Sequence, residues 1–127
     1  MLFRSKKLDF YKTGIDINSF ATLHFDNNFV SYIGTSFQNN LGKKTIIKGE
    51  DGTIIIEDSW HGEPSKIFIE GKYNEVININ SDKSIYSYEI ENFSNNILQN
   101  NFNVKYPGMS FEETFLNIKI IDEWLNK

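Results

Sequence analysis

Two histidines, the neighbouring carboxylates Glu57 and Asp58 and a few aromatic side chains are the residues of this chain whose types and places suggest chemistry. His24 stands between Leu23 and Phe25 in a stretch that alternates like a strand. Imidazole titrates near neutral pH, so a histidine is the first place to look for a general base. Inside a strand, though, its usual place is a sheet face with the ring hydrogen-bonded. His61 follows Trp60 in a segment that also holds Gly62 and Pro64. Loops carry function more often than strands do, yet the everyday role of such a residue is still structural. The two histidines are far apart, and neither belongs to a ligand spacing such as H-x-x-x-H, so no metal site is expected. Glu57 and Asp58 are adjacent, but neighbours on a strand point to opposite faces, which argues against a working carboxylate pair.

Nucleophile and phosphate motifs fail as well. Nothing matches G-x-S-x-G, and no serine has an obvious local base. Gly49-Glu50-Asp51-Gly52 lacks the Gly-Lys-Ser/Thr ending of a phosphate loop and joins two strands instead of opening a helix. Its two carboxylates would also repel phosphate. The segment reads as hairpin punctuation, with glycines expected to supply positive φ. No catalytic residue can be assigned from the sequence. Two aromatics remain as pocket candidates. Trp60 ends a long strand and enters a loop, where an indole can wall a pocket or close a core. Tyr86 opens a helical stretch, IYSYEIENF, where its ring and hydroxyl can meet a hydroxylated ligand; the alternative is core packing.

The elements that must position these residues fall into two blocks. Residues 2–12, 17–26, 29–37, 43–48, 53–58, 65–70 and 75–79 read as strands, linked by turn signals such as Asn27-Asn28 and Gly71 with Asn74. From Ser84 the period changes: Tyr86, Ile90, Phe93 and Ile97 mark one face of a helix. After a link containing Pro107-Gly108, Ser110 and Glu113 form a capping box for a closing helix. That helix carries Phe115, Ile118, Ile121 and Leu125 along one stripe, with Leu116, Ile120 and Trp124 beside it. Strands followed by helices imply an α+β domain. Its expected form is a largely antiparallel, open-faced sheet of about six to seven strands with two C-terminal helices on one face. Two helices cover only one face, yet the strands are apolar on both: Ile54 and Ile56 against Ile55, and Leu23 against Phe20. The uncovered face is therefore expected to be an interface with another subunit or domain.

Composition narrows the classes further. With 127 residues the chain is one domain by length. Eleven Phe and six Tyr argue against disorder. A net charge of −4 with scattered basic residues gives no support to nucleic-acid binding. Cysteine is absent, which removes disulfides and thiol chemistry. No apolar run is long enough to span a bilayer, and no signal-peptide pattern opens the chain, so a cytoplasmic, membrane-free location is the default expectation.

Taken in order, three segments resemble a known pattern. KGEDGTIIIEDSW is similar to the G-x-x-G-x-I hairpin of the C-terminal domain of the glucose–fructose oxidoreductase/inositol dehydrogenase (Gfo/Idh/MocA) family. IYSYEIENFSNNI resembles its Tyr-x-x-Glu/Gln-aliphatic-x-x-Phe helix, and PGMSFEETFLNIKIIDEWLNK resembles its closing helix. Upstream, TGIDINSFATLHFDNNFVSYIGTSF resembles the preceding hairpin, so the likeness covers nearly the whole of residues 1–127. The resemblance implies an NAD(P)-dependent oxidoreductase acting on a sugar, a polyol or a related compound. The family's Rossmann domain, its Glu-Lys-Pro motif and its Asp-x-x-x-His helix have no counterpart here, so no family catalytic residue transfers to any position. Only the later part of the second domain is matched. What the resemblance implies is a substrate-enclosing and oligomerisation domain, silent by itself and binding no cofactor, with NAD or NADP held by a missing N-terminal Rossmann domain. A homo-oligomer through the open sheet face, with Trp60 and Tyr86 beside the substrate, completes that expectation. A stand-alone, non-enzymatic domain that binds a small ligand or acts as a scaffold is the alternative. A small hydrolase built on His24 or His61 is the third and weakest reading.

Overall fold

Strand-forming residues and turn glycines alternate along the first 79 positions, and the computed structural model, which describes residues 2–104, 106 and 108–125, turns them into antiparallel ladders. The order is β1 (Leu2–Phe10), β2 (Asp16–His24), β3 (Val30–Ser36), β4 (Thr45–Lys48), β5 (Gly52–Ile56), β6 (Ser65–Gly71), β7 (Glu75–Ile79), α1 (Ile85–Leu98) and α2 (Phe111–Leu125). The expected α+β class and seven antiparallel strands are present. They do not form one sheet, however: β1-β2-β3 make a three-stranded sheet and β4-β5-β6-β7 a four-stranded one. The chain divides into two compact units, Met1–Leu41 with Phe111–Lys127, and Gly42–Ser110. The two helices are shared between these units, one to each, in place of the expected pair on a single face. Pro107 of the expected interhelical link lies outside the described residues.

In the first unit, chain reversal at Asn28 (φ 61°) sets the β2–β3 register, with Phe25 N–H donating to the Phe29 carbonyl at 2.9 Å. That register places Ala21 opposite both Lys6 and Ile33, on the face that also carries Leu23. Ala21 and Leu23 are buried, and α2 supplies cover from that side: Lys6 Nζ donates to the Glu123 carbonyl at 2.9 Å. The helix turns Ile120 and Trp124 inward, while Phe115, Ile118, Ile121 and Leu125 stay exposed. Ser110 immediately precedes the helix, and Glu112 and Glu113 occupy its first turn, where the helix dipole favours negative charge. On the opposite sheet face Phe20 lies over Gly34, its cross-strand partner; a Cβ on Gly34 would come within 2.7 Å of the ring. The aromatic ring fills the space that the missing side chain leaves.

In the second unit the register lines up Ile46, Ile55, Phe68 and Val76 straight across all four strands. The other face carries Ile47, Ile54 and Ile69, with Ile56, Ile67 and Ile77 in the next row. Both faces are thus apolar, as the alternation of β5 implies, and both remain partly exposed, with Ile46, Ile47, Ile54, Val76 and Ile77 all open to solvent. Helix α1 behaves alike: Ser87, Asn92 and Asn96 are half-buried, while Tyr86, Ile90, Phe93 and Ile97 face outward.

The β4–β5 turn corrects the reason given for its glycines. The expected positive φ is present at Gly52, at 159°, and not at Gly49. Gly52 is glycine because it pairs with Gly71 of β6, and the two backbones touch. A Cβ on Gly52 would stand 2.4 Å from the Glu70 carbonyl oxygen, and one on Gly71 2.4 Å from that of Asp51. Nothing comparable faces Gly49, whose nearest neighbour would be 3.7 Å away. Gly71→Ala is therefore expected to destabilise the protein by about 1–3 kcal/mol, with Gly49→Ala close to neutral, as read by urea-unfolding midpoints.

Candidate functional site

Strand β5 hands over to the loop of residues 57–64 with one last ladder bond, from Glu57 N–H to the Lys66 carbonyl at 3.1 Å. Asp58 then organises the loop. Its Oδ1 accepts the backbone N–H groups of Trp60 at 3.1 Å and His61 at 3.2 Å, an arrangement that short carboxylate side chains favour at turns. The same carboxylate takes His61 Nδ1 at 2.9 Å and 3.1 Å on its two oxygens, and Lys43 Nζ at 3.2 Å. The Asp58 side chain is only 14% exposed, against 53% for His61. The His61 hydrogen bond, foremost, holds the Asp58 carboxyl well below its ordinary range; the Trp60 N–H and Lys43 add to this, and partial desolvation opposes it.

This geometry fixes the histidine. A carboxylate can only accept, so a hydrogen lies on Nδ1, and of the two neutral tautomers the contact selects the one whose Nε2 is the acceptor. No hydrogen-bond partner meets Nε2 among the described residues.

Gly62 joins the loop to the start of α1. Its φ is 64°, and a Cβ there would fall 2.0 Å from Ile85 Cγ2, on the first helical residue. Ser84 caps that helix, its Oγ accepting from Ser87 N–H at 3.3 Å. Loop and helix start together wall an open cleft of about 690 Å³. Trp60, His61, Ser84 and Tyr86 are among its lining residues, and Trp60 and Tyr86 are 72% and 66% exposed. Two charged groups on the rim are paired. Asp82 accepts from the Tyr88 hydroxyl at 2.8 Å, which lowers its pKa, and Lys83 binds Glu91 at 2.6 Å, which raises the pKa of the lysine.

Trp60 and Tyr86, distant in sequence, therefore border one cleft in the second unit. His24 lies elsewhere, half-buried at the end of β2 opposite Val30 in the first unit. The residue that sequence reasoning set aside is Asp58. Its signal was the D-x-x-H spacing just beyond a strand end, where the strand rule of opposite faces no longer applies. Among the described residues no group of three or more His, Asp or Glu side chains could hold a metal ion, and no helix is long and apolar enough to cross a membrane. No family model, curated protein or solved structure matches the chain.

Two substitutions probe this loop. Gly62→Ala forces a left-handed alanine into Ile85, so a stability loss of about 1–2 kcal/mol or more is expected, with a changed Trp60 fluorescence. Asp58 has a depressed pKa in the fold, so the stability it adds is complete above the ordinary aspartate range near pH ~4 and is lost as the pH falls further. Asp58→Asn lacks that component: its unfolding midpoint should decline less between about pH 5 and pH 2 than that of the parent.

Proposed function

We propose that the chain is a substrate-enclosing and oligomerisation domain that works beside an NAD(P)-binding domain in an oxidoreductase, with a sugar, a polyol or a related compound as substrate. The observation that carries this reading is the cleft bordered by both Trp60 and Tyr86, the two aromatics that the motif resemblance puts beside a substrate. The apolar rows on both faces of the β4–β7 sheet support the second half of it. Rows of exposed Ile and Val are liabilities on a lone chain and natural material for an interface. The reading gives the chain no catalytic residue and no nucleotide site of its own. NAD or NADP belongs to a domain outside these residues, and a homo-oligomer through the sheet covers the apolar rows.

One observation favours a second reading, a non-enzymatic domain that binds a small ligand by itself. The cleft is built wholly from residues of the Gly42–Ser110 unit and needs no second domain to have walls.

Light scattering on the isolated chain should report a dimer or larger. Ile77→Lys and Ile47→Lys, which alter side chains already exposed on one sheet face, should shift it to monomer with the circular dichroism unchanged. A parent chain that stays monomeric at high concentration refutes the interface. Calorimetry with NADH and NADPH should show no binding, and saturable micromolar binding refutes the assignment of the nucleotide to another domain. Ligand-driven thermal stabilisation without any nucleotide effect selects the second reading.

A further inference from the structure

The Asp58–His61 pair has no part in the function just proposed, yet its geometry is that of a working group. Asp58 stands behind His61 and is not itself a wall of the cleft, whereas His61 lines it. With Nδ1 turned back to the carboxylate, the opposite edge of the ring carries the unpartnered Nε2. Here we infer that His61 Nε2 is a fixed hydrogen-bond acceptor for a hydroxyl of a neutral polyhydroxylated ligand held between Trp60 and Tyr86; this rests on the cleft being a ligand site.

The ligand class is set by the groups that the cleft leaves unsatisfied. Asp58 is matched by Lys43 and His61, Asp82 by the Tyr88 hydroxyl, and Lys83 by Glu91. Glu63 adds a carboxylate to the lining, which disfavours an anion. What remains open is two exposed aromatic residues, Trp60 and Tyr86, and one imidazole nitrogen that meets no partner among the described residues, the Ser81 and Ser84 hydroxyls being engaged with Lys83 and Ser87. Aromatic faces take C–H surfaces, and a lone acceptor takes an O–H donor. A sugar or polyol offers both.

The test is heteronuclear NMR on the full chain, with glucose and mannitol as neutral probes and glucose 6-phosphate and gluconate as anionic ones, each raised to high millimolar concentration. Without ligand, His61 should show the Nδ1–H tautomer in the parent, and Asp58→Asn should mix the tautomers. Glucose or mannitol should shift the His61 Nε2 resonance together with those of Trp60 and Tyr86, and His61→Gln should weaken binding about threefold to tenfold. Shifts at Trp60 and Tyr86 with none at Nε2, or unchanged affinity in His61→Gln, overturn this inference and leave the ligand site standing. A bare Nδ1 in the parent, or binding of the anionic probes alone, also overturns it. Silence at all three residues with every probe overturns both.

Discussion

Covering apolar surface is the constraint on which the rest of this structure turns. Aliphatic and aromatic residues make up 39% of the sequence, yet Ala21 and Leu23 are the buried hydrophobic residues among those described. A buried leucine contributes about 1.5–3 kcal/mol, so two small residues cannot provide a core by themselves. The ladders and turns are well formed, and that explains why the strands exist. It does not explain why so many of their side chains are isoleucine. In the β4–β7 sheet, Ile46, Ile55, Phe68 and Val76 fill one row and Ile47, Ile54 and Ile69 the row behind it. A sheet that evolved to face water would carry one such row and a polar one. Two apolar rows on one sheet are the physical ground on which the proposed association rests.

The candidate site obeys a different rule. Its order comes from polar and steric detail at single residues, not from the core. Asp58 gathers Trp60, His61 and Lys43 around one carboxylate, and Gly62 lets the loop backbone touch Ile85. Those two contacts suffice to hold Trp60 and Tyr86 on one cleft. The atoms that tie this loop come from Asp58, His61, Lys43 and the loop backbone, and none from an apolar row.

How much of this was legible in the sequence divides along the same line. Period-2 and helical patterns mark the seven strands and both helices, because backbone geometry imposes those periods locally. The two-sidedness of β5 is legible for the same reason. The partition of the strands into two sheets was not, since it depends on whether β3 and β4 pair, and no local signal encodes a pairing that does not form. The cover of the helix faces was not legible for a related reason. The stripe of Tyr86, Ile90, Phe93 and Ile97 gives the direction of the apolar side correctly, but not whether anything lies there. At the site, aromatic type and loop position pointed to Trp60 and Tyr86. Asp58 escaped because it was judged as a strand residue, although the strand ends at Ile56.

Gly52 and Gly71 connect the two kinds of order. The pair locks β5 to β6 at one end of the sheet by direct backbone contact, a point where no side chain is tolerated. At the other end of β5, Glu57 still holds Lys66, and Asp58 takes over immediately after. Strand β5 is thus pinned at both ends while its middle offers isoleucines to both sides. Pinning fixes where Asp58 begins its turn, and with it the position of His61 and Trp60 on the cleft. The hairpin whose glycines resemble a phosphate loop consequently has a mechanical role: it sets the register from which the candidate site is built.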